Sequence, residues 1–173
     1  MLRRFGCFVG VLFVCLAVVP SLAQTGASAA TTTCNFDPDK QLAVEYQHLQ
    51  FPPKVKVLGS DVPYGQVWAP GGKPMKLFTN TTVSIGGSQL PIGAYTMFVI
   101  PEQKKWTLII SKSADTSGKY DQTQDLARVD MQYGKLPQAV PEFTAYFAHV
   151  AAGQCNLRLD LNKARAWVVF NLK

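Results

Sequence analysis

The side chains able to do covalent chemistry are few. The chain has two histidines, His48 and His149, and three glutamates, Glu45, Glu102 and Glu142. Hydrolysis by a nucleophile needs Ser, Thr or Cys held by a base that a third group orients. No G-x-S-x-G elbow is present, His149 continues a core-strand pattern, and His48 lies at a strand end. Each histidine therefore also reads as a structural or surface residue. Asp37 and Asp39 in "FDPDK", and Asp121, Asp125 and Asp130 in "KYDQTQDLARVD", lack the alternating ligands and closing glutamate of a calcium loop. They read as carboxylates that cap turns, with a two-histidine transition-metal site as the alternative. The three glutamates stand in polar strand or turn positions and do not mark the paired carboxylates of a glycosidase cleft.

Binding has better material. Tyr64, Trp68, Trp106 and Tyr120 lie next to turns or at strand ends, where a ring can stack on a ligand with one end in water. Tyr64 and Trp68 adjoin the Pro/Gly-rich run that ends at Lys73, and each also reads as a core aromatic. Tyr64, Trp68, Lys73 and Tyr120 are therefore the candidate ligand-binding residues. Trp106 and Trp167 are expected to fill the core, as large aromatics mostly do. No residue is assigned a catalytic role, and no metal or cofactor is expected.

The elements that would carry these residues are strands. Leu42, Val44 and Tyr46 alternate with Ala43, Glu45 and Gln47; "KVKVL" alternates Lys54/Lys56 with Val55/Val57. Cys155, Leu157, Leu159 and Leu161 oppose Asn156, Arg158 and Asp160, and Phe143, Ala145 and Phe147 share a face. Side chains alternate across a strand with period two, so each segment has one dry and one wet face. "ARAWVVFNL" closes the chain as a further strand, and Leu126–Gln132 reads as strand. Turn signals punctuate the runs at "FPP", Gly59-Ser60-Asp61, Pro70-Gly71-Gly72, Gly86-Gly87, Pro91-Ile92-Gly93, "SADTSGKYD" and "GKLPQAVP". Thr82–Lys112 reads as a meander of three strands with a two-residue hairpin at Gly86-Gly87, framework rather than site. The pattern predicts an all-β chain, a single antiparallel β-sandwich, jelly-roll-like or Ig-like, of about ten short strands.

The N-terminus predicts export. Arg3 and Arg4 precede an apolar run from Phe5 to Val19, and Ser21-Leu22-Ala23 forms a signal-peptidase site, with Ala27-Ser28-Ala29 as a later option. The run is too short to span a bilayer well, so no membrane span is expected after cleavage. Removing residues 1–23 of 173 leaves 150 and lowers the formal net charge from +6 to +4, because Arg3 and Arg4 are lost. Residues 24–33, small and polar, read as a flexible segment, and 34–173 as one domain. The scattered lysines form no arginine-rich stripe with aromatics, so nucleic acid is not an expected partner. Cys34 and Cys155 alone survive cleavage, and two cysteines in an oxidising compartment pair. The alternative, a reactive thiol, lacks a C-x-x-C partner or a visible activating base.

"VPYGQVW", then "VSIGGSQLPIGAYTMFVIP", then "KWTLIISK", resembles the bacterial exported family called domain of unknown function 2911. The likeness extends from about Val44 to the end, including "ARVDM" and the closing "CNLRLDL" and "ARAWVVF". It implies an all-β exported protein and no established activity. Members usually continue after the Trp with R-x-G-A-N-E, whereas Trp68 here precedes Ala69-Pro70-Gly71-Gly72-Lys73-Pro74. Ser117 also stands where members often have Trp before the glycine. Three functions follow: a non-catalytic ligand-binding or accessory module; an envelope structural or protein-interaction module; or a small hydrolase or metal-dependent enzyme using His48 or His149. The corresponding partners are a small molecule, a glycan or an envelope protein.

Overall fold

The computed structural model describes residues 28–51 and 57–173. The leader expectation at 1–23 and most of "KVKVL" lie outside the described residues. The described part holds β1 (Ser28–Asp37), β2 (Lys40–Gln50), β3 (Met75–Thr79), β4 (Val83–Ile85), β5 (Ser88–Leu90), β6 (Gly93–Pro101), β7 (Trp106–Ser111), β8 (Asp125–Ala151) and β9 (Gln154–Leu172). The remaining named elements are two single-turn 3-10 segments, Pro70–Gly72 and Gln122–Gln124. Every ladder between strands is antiparallel. Among the described residues no helix is long and apolar enough to cross a membrane.

One layer runs β1-β2-β3-β6-β7-β8 and the other β8-β9-β4-β5, so β8 belongs to both. The far end of β2 pairs with β8 as well, Leu49 opposite Phe143, which draws the layers together along one side. The predicted rhythm supplies the core between them. Leu42, Val44, Leu77, Met97 and Leu108 come from one layer, and Phe143, Leu157, Leu159, Leu161 and Phe170 from the other, all fully buried. The Cys34–Cys155 bridge joins β1 to β9 across 121 positions, both residues buried, at a Cα–Cα distance of 6.1 Å.

Several expectations are corrected. Ser28–Thr33, read as part of a flexible segment, pairs with His48–Ala43 of β2. Small polar composition concealed strand-forming, β-branched threonines, and the Thr32 hydroxyl accepts a hydrogen bond from the Phe147 amide at 3.1 Å. The Thr82–Lys112 stretch is two hairpins in different layers: β4–β5 extends β9, whereas β6 pairs with β3 and β7. Its Gly86-Gly87 turn has positive φ at both residues, as a type I′ hairpin requires, and a Cβ on Gly86 would meet a Val129 methyl at 2.6 Å. "GKLPQAVP" is no turn; it lies inside the 27-residue β8 as a bulge. Pro137 and Pro141 have no N–H to give the ladder, so pairing lapses there and resumes beyond it. Trp106 is buried as expected, but Trp167 points outward, half-buried, against Gly134.

Candidate functional site

The four candidate residues do not share one place. Trp68 is structural: its amide and carbonyl pair with Val99 at 2.7 and 3.0 Å, and its ring meets Phe143 edge-on with centroids 5.2 Å apart. Tyr120 is occupied within the protein. Its ring packs edge-on against buried Phe98, and its hydroxyl donates to Asp125 at 2.6 Å and accepts from Arg128. Burial, then the bond to Asp125, pushes its phenol above the ordinary value. Lys73 borders a pocket of about 170 Å³ with Glu45, Gln47, Lys76 and Thr116. That pocket adjoins the Pro70–Gly72 turn, whose Gly71 lies against Gln47. Tyr64 alone sits on a larger groove, about 300 Å³, at one end of the sandwich.

The groove is built from the bend shared by β8 and β9. Tyr133 pairs with Ala166 and Lys135 with Ala164. Directly opposed residues project to the same side of a sheet, and both alanines are buried, so Tyr133 and Lys135 aim into the space between the layers. Two alanines opposite two long side chains leave that end unfilled, and Lys135 stays exposed. The bulge then re-aims the chain. Asn162, paired with Val140, is the one described non-glycine residue with positive φ, at +54°. Asn tolerates that conformation better than most residues, and it sends Lys163 to the rim as the ladder slips.

The second wall is the loop from Val57 to Gly65. Val57 and Val62 are buried at 3% and 1% exposure and root it in the core. The Val62 amide donates to the Val57 carbonyl at 2.9 Å, and the Gly65 amide to the Pro101 carbonyl at 2.9 Å. Gly59, at φ +84°, lies under the Tyr64 ring so closely that a Cβ would stand 2.7 Å from Cε2. A rigid backbone thus presents Tyr64 to the groove, 37% exposed.

The electrostatics are one-sided. Val57, Leu58, Tyr64, Tyr133, Lys135, Asn162, Lys163 and Ala164 line the groove, with no acidic residue among them. Neither lysine takes part in an ion pair among the described residues. Burial pushes the Tyr133 phenol above its ordinary value, and Tyr64 nearby adds to the shift. The arrangement offers two rings, two cationic tips and two hydroxyls, but no group aligned as a nucleophile with a base.

Several reactive residues elsewhere are taken up in pairs. His48 Nε2 lies 3.0 Å from Glu142 Oε2. The His149 backbone stands opposite Cys155, and its side chain lies outside the described residues. Asp121 accepts from the Thr123 hydroxyl and amide, which hold its carboxyl below the ordinary range. Asp37 pairs with Lys40, Asp125 with Arg128 and Asp130 with Lys105. No group of three or more potential metal-ligating side chains gathers among the described residues.

Sequence reasoning missed Tyr133, Lys135, Asn162 and Lys163. One signal was present: inward positions fall on odd numbers through Leu161 and on even numbers from Ala164, a phase change of one that marks a bulge.

No curated protein and no solved structure matches the chain. The model of the family described as "Protein of unknown function (DUF2911)" matches residues 25–170, nearly the whole chain, and the protein belongs to that family.

Proposed function

We propose that this protein is a non-catalytic binding module, exported to an oxidising compartment, that holds a small molecule in the groove between Tyr64 and Tyr133. The observation that carries the reading is an end of the sandwich left open by Ala164 and Ala166 and walled by a loop whose backbone positions Tyr64. Ligand sites are concave, mostly apolar and supplied with a few placed polar groups. A volume of about 300 Å³ stands at the small end of such sites and suits a single ring rather than a polymer. The signal-peptide-like N-terminus and the Cys34–Cys155 bridge support the exported location.

The test is a thermal-shift screen of the mature protein against sugars, lipids and small aromatics. A ligand that binds only the native state raises stability by about 2.7 kcal/mol at a hundredfold excess over Kd. For a chain of this size that is a rise of about 5–10 °C in Tm. The rise should vanish in Tyr64→Ala and Tyr133→Ala. A rise that survives both substitutions would place binding elsewhere and overturn the proposal.

A further inference from the structure

The groove has a charge that nothing among the described residues answers, and we infer that its ligand is a ring-bearing anion whose acidic group sits between Lys135 and Lys163. The inference rests on the binding reading above and goes beyond it by fixing the ligand's chemical class. Three observations carry it. First, Lys135 is set on the inward face of β8, opposite buried Ala164, where an apolar residue would ordinarily extend the core. Second, neither cation lining the groove takes part in an ion pair among the described residues. Among the described residues no acid lines the groove that Lys135 and Lys163 share. Third, the hydroxyl of half-buried Tyr133 bonds to no described group and is reached by solvent, so it is open to a ligand. Two ammonium groups and a free hydroxyl lining one cleft with two rings suit a carboxylate, sulfate or phosphate on a flat body.

The experiment compares matched probes by NMR titration of the mature, 15N-labelled protein: D-glucuronate against D-glucose, benzoate against benzyl alcohol, and sulfate alone. In at least one pair the charged member is expected to bind about tenfold tighter, with shifts at Tyr64, Tyr133 and Ala164. Raising NaCl from about 20 to about 500 mM should abolish that preference, since it screens the exposed ends of the lysines. Lys135→Met/Lys163→Met, which keeps chain length and removes charge, should abolish it at low salt. Binding of neutral and charged members with equal affinity would overturn the anion inference while leaving the groove a binding site. The absence of groove shifts with every probe would overturn both. Binding of sulfate as tightly as the ring acids would show an anion site without ring recognition, and refute the inference as stated.

Discussion

Removing the bridge between Cys34 and Cys155 tests the load it carries. In the chain-entropy model a cross-link stabilises by restricting the unfolded chain, by an amount that grows with the logarithm of the loop. A separation of 121 positions gives about 5 kcal/mol at 25 °C. The native geometry offers no obvious offset, because both cysteines are buried on the dry faces of β1 and β9 and their Cα atoms stand 6.1 Å apart, inside the usual range. Cys34→Ala/Cys155→Ala should therefore lose about 5 kcal/mol in guanidinium unfolding, with a Tm lower by about 10–20 °C. The m-value should rise, since an unbridged unfolded chain exposes more surface. Oxidised and reduced wild type, measured alongside, separate the bridge from the change of side chain. A loss below about 1 kcal/mol, or an unchanged Tm on reduction, would refute the claim that β1 is clipped to β9 by a loop-closing covalent link.

Other perturbations are more local. Phe143→Ala empties a fully buried position that touches the rings of Tyr46 and Trp68. It should cost about 3–5 kcal/mol in denaturant unfolding and shift Trp68 fluorescence to the red. Gly59→Ala and Gly87→Ala both place a side chain at positive φ, costing about 1–2 kcal/mol each. Only the first meets the Tyr64 ring, so it alone should displace Tyr64 resonances and weaken ligand binding in the groove. Burial raises the phenols of Tyr46, Tyr95 and Tyr133 above the ordinary 10.0. The folded chain then holds protons that the unfolded chain has released, so stability is intact below pH 10 and falls as pH rises above it. Stability unchanged up to pH 11, followed by chemical denaturation, would contradict that sign.

Much of the fold was legible because burial acts on each strand locally. Alternation at Leu42/Val44 and at Cys155 through Leu161 needs only a wet side and a dry side, and Gly86-Gly87 needs only two residues free to take positive φ. The disulfide was expected from the cysteine count and the predicted export, and the structure forms it. What misled was composition read without partners. Ser28–Thr33 lacks large apolar residues, yet an adjacent strand and one hydroxyl contact give its backbone somewhere to bond. Trp167 is large and aromatic, yet its odd number falls on the outer face once the phase has changed at Asn162-Lys163.

The sequence by itself determined an all-β chain, its inward and outward residues over each short run, and a covalent clip between distant segments. Only the tertiary structure decided which runs fuse into β8 and β9, which hairpin joins which layer, and where the sandwich stays open. The reason is that a period of two is a property of one strand, whereas a groove depends on side chains brought together by register between strands. Tyr64 and Lys163 are far apart along the chain, and no local pattern links them; the slip at Asn162 and the loop over Gly59 put both on one cleft.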